Sequence, residues 1–296
     1  MLKYEKGFTL VELLVSTLVG ATLSATAIGL YMNSQRDYLT QKGISTTVGK
    51  ANDGLSYIGE KIARSNEDKS FVQLVSNVQG SGIVLNAAAF GAGVSVLNAN
   101  MSQSETGHSY ATERSDQLVI QYLPKFIKGY DCEGVNIASV STYVVEKYFV
   151  KVNPQDSTQL SLVCDAGRFK NGVFTGLDGQ TTTLINSVDY FRVLLGVSQY
   201  VPNPSGGGQY QHRNMTIAQY NAAATKYPIT SVSYGVLLHS ENSIGRNDVI
   251  NNQATFRLLD KDVKLNTSAA ASIKNNNIYK TFARTVAVND GIGGGE

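Results

Sequence analysis

From Phe8 to Met32 the chain is almost continuously apolar or small, and the one charge inside the run is Glu12. Nothing else in the sequence constrains the fold as strongly. At 1.5 Å per residue a helix over this stretch reaches roughly 35 Å, against about 30 Å of bilayer hydrocarbon, so it is long enough to span a membrane. Lys3 and Lys6 precede it, and the positive-inside bias leaves the N-terminus in the cytoplasm and carries everything after Arg36 across. A secretory signal peptide competes with this reading, because Ala25-Thr26-Ala27 has the small-x-small pattern of a signal-peptidase site. A plain membrane anchor is a third reading. Two features weigh against secretion: the apolar run continues past that site through Ile28, Leu30, Tyr31 and Met32, and a carboxylate inside an apolar span is costly enough to need a reason.

The residues Lys6-Gly7-Phe8-Thr9-Leu10-Val11-Glu12-Leu13 resemble the prepilin peptidase site of type IV pilins and type II secretion pseudopilins. The resemblance implies cleavage between Gly7 and Phe8 by prepilin peptidase, N-methylation of Phe8, and a retained Glu12 that acts in assembly. A glycine before the cut has a physical rationale, since a side chain there crowds an active site that must approach the backbone closely. The fold implied is α+β: a long N-terminal helix, half membrane-spanning and half amphipathic, packed on an antiparallel sheet head with long loops. The expected division is a leader at 1–7, a transmembrane and filament-core helix at 8–32, its amphipathic half at 33–64, a β-rich periplasmic head at 65–289 and a flexible tail at 290–296.

The residues themselves support the division after the span. Ile44, Val48, Leu55, Ile58 and Ile62, with Ala51 between, recur at steps of three and four, as on the apolar face of a helix laid on a sheet. Lys42, Lys50, Asn52, Asp53, Glu60 and Lys61 fall on its polar side. Gly43, Gly49, Gly54 and Gly59 each weaken such a helix by about 1 kcal/mol relative to Ala, so tertiary packing must hold it. Ser65 to Asp116 reads as loops with short strands. Strand signals follow at Gln117–Leu123, Thr142–Val152, Gln159–Cys164, Val188–Leu195, Ser231–Leu238 and Thr281–Val288, and with no convincing crossover helix between them the pairing is expected to be antiparallel. Asn203–Gly208 and Gly291–Glu296 read as flexible. The 28 Gly and 16 Tyr, with many Ser, Thr and Asn, suit such a β-rich body.

The head also resembles the minor pilins called PilW. The residues that carry this are Ser115–Tyr122, Asp131-Cys132-Glu133-Gly134, Tyr148-Phe149-Val150 leading to Leu162-Val163-Cys164, and Tyr279 to Asp290. The resemblance implies a minor pilin that joins other minor pilins and the major pilin to initiate a type IV pilus near its tip. The subunit is then in the inner membrane with a periplasmic head before assembly, and in the fibre at the cell surface afterwards. A large tip adhesin is a further candidate partner. A type II secretion minor pseudopilin and a tip subunit that binds or adheres through its long loops are the alternatives.

Cys132 and Cys164 are the only cysteines, each at the edge of a strand signal. In an exported chain a disulfide between them is expected, contributing about 3 to 4 kcal/mol in the chain-entropy account; two shielded free thiols are the alternative. A metal site is not expected, because no second cysteine or histidine lies nearby at ligand spacing. His108, His212 and His239 are isolated, no nucleophile, zinc or phosphate-loop motif occurs, and neither enzymatic activity nor a cofactor is expected. His239 follows the apolar Val236-Leu237-Leu238 and reads as a strand-end residue, and Asp260-Lys261-Asp262 reads as a solvated turn rather than a calcium loop. With Lys+Arg 25 against Asp+Glu 23 and no basic cluster, direct nucleic-acid binding is not expected.

Overall fold

The computed structural model describes residues 7–65, 79–91, 98–127, 129–153, 156–204, 207–240, 254–266 and 277–288. The expected tail at 290–296 and most of the leader lie outside these residues. Leu10–Arg64 forms one uninterrupted helix of 55 residues, α1, running without a break through the boundary read at Met32. It is about 80 Å long at 1.5 Å per residue. Every residue from 7 to 39 is exposed, and the first fully buried position is Ala51.

The buried face is therefore shorter than the apolar periodicity suggests. Ala51, Leu55, Ile58 and Ile62 are buried as read, whereas Val48 remains 41% exposed. Two helix glycines explain how α1 comes so close to the body. A Cβ on Gly54 would run into the Ile185 side chain, and one on Gly59 into the Tyr234 hydroxyl. The propensity cost at these two positions is what permits close packing, while the Tyr234 hydroxyl donates to the Leu55 carbonyl at 2.7 Å. Lys61, assigned to the polar side by its sequence spacing, is instead only 4% exposed. It reaches from the edge of the apolar face towards buried acceptors.

Two antiparallel sheets follow. The first comprises β1 (Gln103–Gly107), β2 (Ser115–Tyr122), β3 (Tyr143–Val152), β4 (Leu160–Lys170), β5 (Val173–Gly176) and β6 (Thr182–Asn186), in the order β1-β2-β3-β4-β5 with β6 also on β4. The chain then turns at Asn186-Ser187 into β7 (Val188–Pro202), followed by β8 (Gly208–Thr216), a short helix α2 (Ile217–Ala222) and β9 (Ile229–His239). A small hairpin, β10 (Phe256–Leu258) and β11 (Lys261–Val263), precedes β12 (Tyr279–Ala287). The second sheet has the order β12-β9-β7-β8. The six strands read from the sequence correspond to β2, β3, β4, β7, β9 and β12. Of the stretch Asn203–Gly208, read as flexible, residues 205–206 lie outside the described residues; at its ends Asn203 N–H donates to Gly207 O at 2.9 Å, and Gly207 has a positive φ of 88°.

Alternation on the strands divides the interior. Leu118 and Ile120 of β2 join Leu55, Ile58 and Ile62 of α1 and the inward residues of β7 and β9 in one core shared by the helix and both sheets. Val119 points the other way, into a second cluster with Phe90, Val145 and Phe169, roofed by residues 79–91. The β10–β11 hairpin covers the far face of the second sheet through Leu258 and Val263 against Tyr190 and Leu237. Where the sheets meet, Asp116 is fully buried and accepts from the N–H groups of Glu105 at 2.9 Å and Val193 at 2.8 Å. Burial lifts its pKa to about 6 against the pull of Arg192. Arg192, 4% exposed, also holds Asp260 by two bonds of 3.0 and 2.9 Å. The turn at Asp260 is thus an anchor for the hairpin, not merely solvated. The architecture is α+β, a long apolar helix ahead of an antiparallel sheet-rich body.

Candidate functional site

Gly7 to Thr9 is non-helical and exposed, and nothing lies within 4 Å of where a Gly7 side chain would be. The Gly7–Phe8 bond therefore sits in open backbone just ahead of the helix, the kind of segment a protease can take into its cleft. Phe8 is 86% exposed. Thr9 is the N-cap of α1: its hydroxyl accepts from the Glu12 N–H at 3.3 Å, while Glu12 Oε2 accepts from the Thr9 N–H and the Thr9 hydroxyl, each at 2.9 Å. This reciprocal capping box starts the helix and places the carboxylate at its electropositive end. Reasoning from sequence spacing gives Glu12 no partner within its own chain, and the structure corrects that. The signal lies in the sequence as Thr9-x-x-Glu12, within the same residues that carry the cleavage-site resemblance. Both partners are neutral, and among the described residues no cation pairs with Glu12.

Phe8, Val11, Glu12, Val15, Ser16, Val19, Gly20 and Leu23 lie along one face of the exposed helix. The hydroxyls of Ser16, Thr17, Thr22, Ser24 and Thr26 each donate to a carbonyl three or four residues back. The polar side chains of this stretch thus spend their donors on their own helix, which suits an apolar surrounding. By length and composition α1 qualifies as a membrane span.

The second set of sequence-read residues is in the head. Cys132 and Cys164 form a disulfide with Cα atoms 6.1 Å apart, tying the loop between β2 and β3 to β4. Beside it lies Glu146, fully buried, which accepts from Cys132 N–H at 3.1 Å and from the hydroxyls of Tyr148 at 2.5 Å and Tyr57 at 3.4 Å. Lys61 approaches Glu146 at 3.8 Å and donates to the Tyr122 hydroxyl at 3.3 Å and the Tyr130 carbonyl at 3.2 Å. Burial raises the Glu146 pKa, with Lys61 pulling it back. Asp131, next to Cys132, binds Arg168 at 2.7 Å. These groups fasten the disulfide loop to α1 and the first sheet.

The histidines do not converge. His239 ends β9 as read, but it is buried, with Nδ1 2.9 and 3.0 Å from the Asp189 carboxylate. His212 lies on exposed β8, and His108 precedes β2. Gly7, Phe8 and Glu12 lie together at the start of α1, and the disulfide belongs to the body, beside the last turns of the helix, where the cysteines share a core with Leu55, Ile58 and Ile62.

The comparison with protein families matches residues 2–28 to the prokaryotic N-terminal methylation motif. Comparisons with curated proteins and with solved structures find no match. The motif is of the prepilin type, so the N-terminus supports a type IV pilin-like protein, a pilin or pseudopilin processed by prepilin peptidase and assembled with other pilins. Together with the apolar helix it fits membrane anchoring.

Proposed function

We propose that the chain is a PilW-like minor pilin, cut between Gly7 and Phe8, methylated on Phe8, and used to initiate a type IV pilus near the fibre tip. The observation that carries the reading is the methylation motif on a helix whose first thirty residues are all exposed. Such a surface needs an apolar cover, first the inner membrane and then the neighbouring helices of a fibre, with the head on the periplasmic side and later at the cell surface. Glu12 supplies the register. Its hydrogen bonds are met by Thr9 and the helix end favours its charge, but among the described residues no cation pairs with it, and a carboxylate in an apolar setting favours any partner that brings one. Cleavage after Gly7 creates that cation as the α-amine of Phe8 on the adjoining subunit. Other minor pilins, the major pilin and a tip adhesin are the partners.

Mass spectrometry of the mature chain tests the reading. An N-terminus at Phe8 with one added methyl group supports it. An N-terminus at Ile28 means signal-peptidase cleavage and overturns it.

A further inference from the structure

The large apolar side chains that stand exposed on the body gather in one loop. Phe126, Ile127, Tyr130, Val135 and Val140 all lie between the end of β2 at Tyr122 and the start of β3 at Tyr143. Elsewhere among the described residues of the body only Val173, Tyr200 and Tyr210 are comparably exposed. The loop is pinned to the fold behind it. Asp131 Oδ1 accepts from the N–H groups of Glu133 and Val135, each at 2.9 Å, Ile137 N–H donates to Gly129 O at 3.0 Å, and Cys132 is bridged to Cys164. The exposed side chains are thus presented at little further cost in ordering.

The first part of the loop projects. Phe126 and Ile127 are consecutive, yet 76% and 61% exposed, so the body shelters neither. Nothing lies within 4 Å of where a side chain on Gly129 or Gly134 would be. The charge around the pair has one sign. From Leu118 to Tyr130 there is no carboxylate, Lys125 and Lys128 bracket Phe126-Ile127 in the sequence, and Lys125 is exposed. The carboxylates that follow are engaged on the body: Asp131 is buried on Arg168, and Glu133 accepts from Ala166 N–H at 3.0 Å. An apolar, aromatic tip beside lysine matches an interface that is anionic at its face and apolar just beneath. A folded partner would have to supply a pit for two adjacent projecting side chains, whereas headgroups and acyl chains close around them. A second copy would bring lysine against lysine.

We propose that the tip at Lys125–Ile127 inserts into the headgroup region of an anionic bilayer. Lys61, which holds the Tyr130 carbonyl, lies about 40 Å of helix beyond Met32, so the bilayer is one other than that spanned by α1. That direction rests on the membrane reading of α1; the binding itself does not, and it needs no cleavage after Gly7. The chain has no Trp, so Phe126→Trp places a single reporter at the tip. The full chain is set in a nanodisc of phosphatidylcholine and mixed with vesicles carrying brominated acyl chains, of phosphatidylcholine alone or in equal mixture with phosphatidylglycerol. Emission from the Phe126→Trp chain is quenched and shifts to the blue with the mixed vesicles only, while a Tyr210→Trp chain, its reporter exposed on the second sheet, does not respond. On the Phe126→Trp background, Ile127→Glu removes the quenching at an unchanged unfolding temperature, Lys125→Glu weakens vesicle affinity on the order of tenfold, and Lys125→Arg preserves it. The proposal is overturned by no quenching at millimolar lipid, by equal quenching at the two reporter positions, or by equal affinity for the two kinds of vesicle. A blue shift that grows with protein concentration before vesicles are added, and that Ile127→Glu removes, would also overturn it, assigning the tip to a second copy.

Discussion

Lys61→Met removes the only cation within 4 Å of Glu146 among the described residues and leaves the hydrophobic stem nearly intact. Both side chains are buried, at 5% and 0% exposure, so the exposed-pair discount does not apply. At 3.8 Å and an effective dielectric near 20 the attraction is about 4 kcal/mol, and breaking a buried pair by deleting one partner typically costs about 3 to 5 kcal/mol. For a body of this size that lowers the unfolding temperature by about 10 °C near neutral pH. The loss depends on pH with a definite sign. Burial raises the Glu146 pKa in the folded chain, with Lys61 opposing, so the folded state holds its proton more tightly than the unfolded state. Its contribution is full below the ordinary carboxyl range and is lost as pH rises through the folded value. Without Lys61 that folded value climbs further, and the deficit of the variant grows as pH rises from the ordinary carboxyl range towards neutral.

The assay is thermal unfolding followed by near-ultraviolet circular dichroism in detergent, on wild type and variant across that range. Adding Glu146→Gln to Lys61→Met should recover more than half of the loss, because a neutral amide can still accept from Cys132 N–H and meet the tyrosine hydroxyls. An unfolding temperature within about 2 °C of wild type near pH 7, or an equal deficit at both ends of the range, refutes the reasoning.

Replacing Cys132 or Cys164 by Ser should cost about 4 kcal/mol for a bridge spanning 32 positions, and alkylation of the unreduced native chain should add no label; two labels refute the bridge in the protein as it exists. Gly49→Ala should stabilise by about 1 kcal/mol because nothing lies within 4 Å of the new methyl, whereas Gly54→Ala should destabilise despite the same gain in helix propensity, because Ile185 occupies the space. Equal effects in thermal unfolding exclude the close-packing account. Glu12→Ala should leave cleavage after Gly7 intact and remove the subunit from sheared pili; incorporation at the wild-type level shows that the carboxylate has no assembly role.

What was legible in the sequence follows from where packing imposes a pattern. β2, β3, β4, β7, β9 and β12 bury one or both faces, so their Val, Leu, Tyr and Phe stand out in runs. β8 was invisible because Gln209 to Asn214 is exposed on both faces and no burial forces an alternation. β5, β6, β10 and β11 are three to five residues long, too short for a period to register. Lys61 was misplaced because spacing gives a direction around the helix and not the reach of a long side chain into a neighbouring sheet. Asp116 meeting Val193 is a contact over 77 positions that no local pattern encodes. At the N-terminus the opposite holds: motif, cap and apolar run are all local, and the order of residues alone singles out Gly7, Phe8 and Glu12.

That contrast also separates the roles of the chain. From Leu10 to the first fully buried residue, Ala51, there are about 60 Å of helix, exposed at every residue as far as Leu39. The residues that fasten α1 to the body come after it: Leu55 under the Tyr234 hydroxyl, Asn52 against Arg284, and Lys61 towards Glu146. Among the described residues no packing couples the Gly7–Glu12 segment to the sheets, so a change in one should leave the stability of the other untouched. Mutations separated by this distance and sharing no partner are additive, usually within about 0.5 kcal/mol. The Glu12→Ala chain should therefore unfold at the wild-type temperature, and the Lys61→Met chain should still be cut after Gly7. A shift in the head's unfolding temperature on changing Glu12 would mean that the two halves of α1 communicate along the helix itself, which no contact among the described residues explains.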